Sequence, residues 1–286
     1  MYKRFAFLFL FFIVFFSGCT KKEEMKISAN TWIGYTPLFY ADAQGWLASE
    51  NIKLIHTVSL NESLQLYNEN LVNAMASTQY EAELANKEVY PVILLDKSYG
   101  ADMVMSNYPL NRLKNFPKID VYLEIDSVNS LLLSAFIKEY KIDKSKLNIQ
   151  NRDQAQIVVS DYKKPTILIT YSPYDTKLRQ KGFKILASTK TSSALIVLDA
   201  VFSDDKNIKE HHEQFVKLKK FVDLALKDLK KNPKHFFNVV QPYLGYEYKY
   251  SDFINDLNNI KWLNRYDLDT KEILKQLNLD SSRLVK

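Results

Sequence analysis

The residues of this chain that could make bonds or hold a metal are few and scattered. The one cysteine is Cys19, and the histidines are His56, His211, His212 and His235. A single thiol forms no internal disulfide, and with no second cysteine or histidine-rich cluster it builds no zinc framework. His211 and His212 fall in a charged helical stretch, while His56 and His235 fall in strand or helix patterns. Asp96 and Asp102 flank a turn at Gly100, but neither has an evident acid, base or nucleophile to work with. What remains is an inventory of hydroxyls, amides, aromatic rings and helix starts, which suits binding better than catalysis.

Cys19 follows Lys3-Arg4, the apolar run Phe5–Phe16 (FAFLFLFFIVFF) and Ser17-Gly18, and it precedes Lys21-Lys22-Glu23-Glu24. A short positive region followed by an apolar core is how secretory signals are built. The run is too short to span a bilayer, which takes about twenty apolar residues. Phe16-Ser17-Gly18-Cys19 resembles the lipobox of bacterial lipoproteins, with Phe16 where leucine is usual. That resemblance implies a signal peptide over 1–18, a lipid on Cys19 and a tether over 19–25. The alternative is an uncleaved anchor helix with an incidental core cysteine; both readings put the bulk of the chain outside the cytoplasm. The formal charge of +6 is mild. Basic runs such as Lys217-Leu-Lys-Lys220 read as solvated helix faces, since nucleic-acid binders concentrate charge on one face; no nucleic-acid partner is expected.

Beyond the leader, apolar runs of strand length alternate with 3.6-residue periodicity, the pattern of an α/β protein with largely parallel sheets. Strands are expected at Met25–Ala29, Val92–Leu95, Val121–Ile125, Thr166–Thr170 and Leu195–Leu198. Helices are expected over Pro37–Ser49, over Val128–Tyr140 and along the stripe Phe215, Leu218, Phe221, Val222, Ala225 and Leu229. No solenoid repeat is visible, and the length suits two lobes.

Ligands in open α/β sheets collect where strands hand over to helices. Four such junctions stand out: Thr36-Pro37, Asp96 to Asp102 around Gly100, Asp126 to Ser130, and Ser172-Pro173. A hydroxyl cap followed by proline is a helix-start signal. Several helix N-termini converging on one crevice would favour an anionic or strongly hydrogen-bonding guest.

The order of these motifs resembles the extracytoplasmic solute-binding proteins of the nitrate, sulfonate, taurine and thiamine-precursor type. Trp32-Ile-Gly34-Tyr35-Thr-Pro37 with Gly45-Trp46 resembles that family's opening, and Asn73-Ala74 through Thr78-Gln-Tyr80-Glu81-Ala82 its "AAxTxxEA" stretch. Asp96-Lys-Ser98-Tyr99-Gly100-Ala101-Asp102 is similar to "D-x-S-x-GAD", Ser127-Val-Asn129-Ser130 to "GSVSHFLL", and Thr170-Tyr-Ser172-Pro173-Tyr174 to "TWEPY". The likeness is collinear over most of 26–265.

The resemblance implies an α/β type II periplasmic-binding-protein fold: two α/β lobes joined by two crossing strands, lobe I holding 26–104 plus 200–286 and lobe II 105–199. It implies a monomer that captures a small-molecule ligand between lobes and delivers it to ABC permease and ATPase subunits, held at the membrane by the lipid on Cys19. No cofactor, metal or catalysis is implied. A surface sensor or scavenger without a transporter is the alternative, and an enzyme on the same fold a remoter one. Carried over residue by residue, the ligand would meet Trp32, Tyr35, Ser98, Tyr99, Asp102, Ser127, Asn129, Ser130, Tyr171, Ser172 and Tyr174. The family often has glutamate where this chain has Ser172 and histidine where it has Ser130; losing that carboxylate argues against an amine-bearing ligand.

Overall fold

The computed structural model describes residues 23–191 and 195–285; the leader, the lipobox and Cys19 lie outside the described residues. Eleven strands are present among them: β1 (Met25–Asn30), β2 (Ile52–Thr57), β3 (Ala74–Thr78), β4 (Tyr90–Ser98), β5 (Asp102–Ser106), β6 (Ile119–Leu123), β7 (Leu147–Asn151), β8 (Thr166–Tyr171), β9 (Lys184–Ser188), β10 (Leu198–Ser203) and β11 (Ile260–Trp262). They form two sheets, one ordered β11-β4-β10-β3-β1-β2 and the other β7-β6-β8-β5-β9. The chain passes between them twice, from β4 to β5 and from β9 to β10.

The sheets are mixed, where largely parallel ones were expected. β1 runs parallel to β2 and β3, and β6 parallel to β7 and β8, but β10 is antiparallel to β3 and β4 and β5 is antiparallel to β8 and β9. The reason is connectivity: β5 and β10 are the strands that arrive from the opposite sheet, and they enter from the end at which their neighbours leave. Every residue of β3, β5, β8 and β10 is buried, as in strands covered on both faces.

Local signals account for most helices. Val128–Tyr140 has the expected bounds; Ser127 caps it by accepting from the Asn129 N–H at 3.2 Å, and Lys141 ends it at φ 51°. The stripe from Phe215 to Leu229 lies on the helix His212–Lys231, which packs on Thr36–Ala43. Two expectations are corrected. Pro37–Ser49 is not one helix but Thr36–Ala43 and Trp46–Ser49, parted at Gln44-Gly45. The strand expected at Leu195–Leu198 begins at Leu198 and runs to Ser203; Leu195 and Val197 are buried as part of the connection instead.

Each sheet has its own apolar clusters, one set around Ile27, Phe39 and Phe215 and another around Val121, Leu132 and Ile167. Leu60, at the start of the helix Leu60–Asn68 beside the first sheet, packs into the second set. No helix among the described residues is long and apolar enough to cross a membrane.

Candidate functional site

The two sheets meet around a cavity of about 10 Å³. Asn30, Trp32, Tyr35, Leu60, Thr78 and Asp199 line it from the first sheet and its helices, and Asp102, Val128 and Tyr171 from the second. Asn30, Thr78 and Tyr171 are the last residues of β1, β3 and β8, so the cavity sits at the carboxyl ends of strands, where open α/β sheets place ligands. Its volume is close to the least that holds one water molecule.

The two crossings run side by side and are tied together. The Ser98 and Thr189 hydroxyls are 2.7 Å apart, the Asp102 N–H donates to Ser98 Oγ at 3.1 Å, and the Gly100 N–H donates to Thr189 Oγ1 at 2.7 Å. Gly100 turns the first crossing at φ 117°, in the region that side chains avoid.

Five carboxylates gather at this junction: Glu81, Asp96, Asp102, Glu124 and Asp199, each at most 3% exposed. Burial holds all of them above the usual carboxylate range. For Asp102 burial, reinforced by the Glu81 charge, raises the pKa to about 7; burial of Glu124, with Glu81 again adding, raises it to about 8. Asp96 and Asp199 are pushed well up by burial and, beyond that, by neighbouring carboxylates. Glu81 is raised by burial against the pull of its hydrogen bonds. Burial likewise raises Tyr35 and Tyr171, keeping their hydroxyls neutral.

The donors nearby are already committed. Trp32 Nε1 donates to Asp96 Oδ2 at 3.3 Å and Tyr35 Oη to Asp199 Oδ1 at 2.7 Å. The Thr78 hydroxyl and N–H both donate to Glu81 Oε2, and the Val128 N–H donates to Glu81 Oε1 at 2.7 Å. The start of Val128–Tyr140, which an anionic ligand would use, is thus occupied by a carboxylate from the other half. Asn30 Nδ2 donates to Tyr171 Oη at 2.9 Å, and that hydroxyl donates in turn to Glu124 Oε1 at 3.3 Å. Trp32 and Tyr171 meet edge to face, ring centres 5.8 Å apart.

Of the residues nominated from sequence, Trp32, Tyr35, Asp102 and Tyr171 line the cavity. Ser98 instead joins the crossings. Tyr99 is half exposed, beneath the Lys190 ammonium. Ser127 is a buried cap, and its hydroxyl donates to the Glu124 carbonyl. Asn129 is fully buried beside Val128 with neither amide atom partnered. Ser130 gives its backbone N–H to Ser127 and lies off the lining. Ser172 donates to Asp175 Oδ1 at 3.2 Å, and Tyr174 stands edge-on to Tyr171 at 5.4 Å, on a separate surface crevice. The two hydroxyl–proline caps are corrected as well. Thr36 Oγ1 donates to the Ile33 carbonyl, with Tyr35 in the cap position, and the helix after the cis Ser172–Pro173 bond begins only at Asp175.

Sequence reasoning did not single out Asn30, Leu60, Glu124 or Asp199. Thr78 and Glu81 fell inside a quoted motif without a role. A carboxylate inside the apolar run Leu195 to Phe202 was the available signal for Asp199. No histidine lines the cavity: His56 lies against Phe39 and Tyr243, and His211 bonds Gln214 and Asn73. No three His, Cys, Asp or Glu side chains among the described residues are grouped to hold a metal ion.

No family model matches the chain, and no curated protein sequence does. Solved structures do. The alkanesulfonate-binding protein SsuA from Xanthomonas axonopodis pv. citri, bound to MOPS, is similar with a TM-score of 0.70 at 10% identity, over 89% of each chain. The ligand-binding component of an ABC-type import system from Staphylococcus aureus, with zinc bound, gives 0.67 at 11% identity over 90% of this chain and 92% of that one. The Candida albicans CA3427 gene product, which exhibits the generic periplasmic binding protein structural fold, gives 0.61 at 12% identity over 91% and 92%. At such identities the likeness is one of architecture: this chain has the α/β periplasmic-binding-protein fold, the fold of the sulfonate-type binding proteins its motifs resemble.

Proposed function

We propose that this chain is an extracytoplasmic solute-binding protein, tethered to the membrane by lipid on Cys19, that takes up a small molecule between its halves and presents it to the permease and ATPase subunits of an ABC importer. The observation that carries this reading is the cavity itself, whose walls come from two separate sheets between which the chain passes in the paired crossings. On this reading lobe I comprises the first sheet and its helices and lobe II the second, with the division inside the crossings at 99–101 and 189–197.

A guest larger than one water needs the walls to part and re-form around it. Closure then reports the ligand, because a ligand shifts such an equilibrium only by binding the closed form better.

The test has two arms. Membrane fractionation of producing cells should find the wild-type chain in the membrane pellet and the Cys19→Ala chain released from it. Small-angle scattering should show the purified chain contracting when a ligand-containing extract is added; a profile that never changes would remove the two-lobe capture reading.

A further inference from the structure

Polar atoms left without a partner at a buried wall state what a guest must bring. Among the cavity-lining residues these atoms are Asn30 Oδ1, Asp102 Oδ2 and Asp199 Oδ2. Asn30 Oδ1 is an acceptor, and the two aspartate oxygens are acceptors whenever their carboxyls are ionised. The orientation of Asn30 follows from its neighbours: Tyr171 Oη gives its one proton to Glu124, so it accepts from Asn30 Nδ2 and leaves Oδ1 free. Off the lining, Asp96 Oδ1, Ser77 Oγ and both amide atoms of Asn129 are also buried without a partner. The donors of the same walls, Trp32 Nε1, Tyr35 Oη, Thr78 Oγ1 and the Val128 N–H, are spent on the protein's own carboxylates. No lysine, arginine or histidine lines the cavity.

An anionic guest would therefore meet no lysine, arginine or histidine and, against ionised Asp102 and Asp199, only oxygens of like charge, and its usual seat at a helix start is taken by Glu81. A bare metal ion would need several ligating groups converged on one point, and no such group is assembled among the described residues. The rest of the wall is aromatic or aliphatic: Trp32, Tyr35, Tyr171, Leu60 and Val128. Carboxylates beside aromatic faces are the environment that desolvated organic cations prefer.

We infer that the guest is a small organic cation, an ammonium, amidinium or guanidinium group on a compact apolar or aromatic body, whose N–H donors are taken by Asn30, Asp102 and Asp199. This rests on the capture reading above and gives it a substrate class. The raised carboxylate pKa values fit the same picture, since a cation supplies the charge that burial otherwise denies. Ser172 in place of the family's carboxylate does not weigh against an amine, because carboxylates reach the cavity from β5 and β10 instead.

The experiment uses the full chain in detergent and follows its Tm at pH 8. The cationic probes are benzylamine, benzamidine, agmatine and choline; the anionic ones are phenylmethanesulfonate, benzoate and nitrate; zinc chloride is added as a metal probe. A binder present at about a hundred times its Kd should raise Tm by several degrees. At least one cation is expected to do so, and Asp102→Asn and Asp199→Asn are expected to abolish the shift. Those isosteric changes should also leave the ligand-free Tm equal or higher, since they remove buried charge that serves the guest. Stabilisation by anions alone, or by zinc alone, overturns the cation assignment and leaves ligand capture standing. A panel with no cationic response overturns it too, as does a lower ligand-free Tm in both variants, which would make these carboxylates structural. If in addition scattering shows no contraction with any probe or with a cell extract, the capture reading falls with it.

Discussion

Asp96 and Asp199 stand directly opposite one another on neighbouring antiparallel strands, β4 and β10, both of them buried. Like charges facing across a sheet are unfavourable, and burial makes the ionised forms costlier still. Strands that lay two carboxylates against each other in a protein core mark a place where stability is given up for function.

The first consequence is a pH dependence. Asp96, Asp102, Asp199, Glu81 and Glu124 all have folded pKa values raised above the unfolded value of about 4. Between about pH 4 and 8 the folded protein keeps protons that the unfolded chain has released, so ligand-free stability falls as pH rises through that window. Tyr35 and Tyr171, which face these groups, stay neutral throughout. Asp204, where hydrogen bonds from Asn207 and Lys87 outweigh burial and hold the carboxyl low, has the opposite sign, and its stabilisation is lost only below about pH 4. Tm should be several degrees higher at pH 5 than at pH 8, and Asp102→Asn should flatten the slope; a wild-type Tm that rises over this range would contradict the assignment.

Glu81 links the halves. Its Oε2 caps its own helix through Thr78 while Oε1 accepts from the Val128 N–H of the other half. In Glu81→Gln one of those donors would face an amide NH2 group. The expected loss is about 1–3 kcal/mol, read as a lower Tm, together with faster hydrogen exchange at the Val128 amide. Unchanged exchange at that amide would show that the link does not hold the halves together.

Gly34 is a close approach. A Cβ there would lie 1.8 Å from Asp96 Oδ2 and 2.4 Å from Trp32 Nε1. Gly34→Ala must therefore break the Trp32–Asp96 hydrogen bond, costing about 1–3 kcal/mol by overpacking. The tryptophan emission maximum should move along with Tm, and retention of the wild-type spectrum would mean the indole had not been displaced.

The Ser98–Thr189 contact couples the two crossings. Ser98→Ala and Thr189→Val should each lower stability by about 1–3 kcal/mol, and the double variant should lose less than the sum of the two. Strict additivity in urea unfolding would argue that the hydroxyls act separately.

Much of the frame is legible in the sequence, because caps and periodicity are local. Ser127 and the apolar spacing from Leu132 to Ile137 suffice to place Val128–Tyr140. The antiparallel course of β10 is not legible, since nothing within Leu198–Ser203 tells which strands it will divide. For the same reason the carboxylates at the cavity are hard to foresee. Asp199 meets Asp96 and Thr78 only because β10 inserts between β3 and β4, and Glu124 becomes buried only where Tyr171 arrives from another strand. Trp32, Tyr35, Asp102 and Tyr171 could be nominated because a motif carries them. Tyr99 and Ser130 sit in equally good motifs, yet the backbone turns them away from the cavity.

The strand order also fixes what must exist before what. The second sheet is drawn from one unbroken stretch, Asp102 to Ser188, whereas the first needs β10 between β3 and β4 and β11 outside β4. No arrangement of residues 25–98 alone supplies those partners. A chain emerging amino end first can complete its second sheet while its first still waits for residues 198–262, so the cavity, whose walls come from both, is the last to be finished.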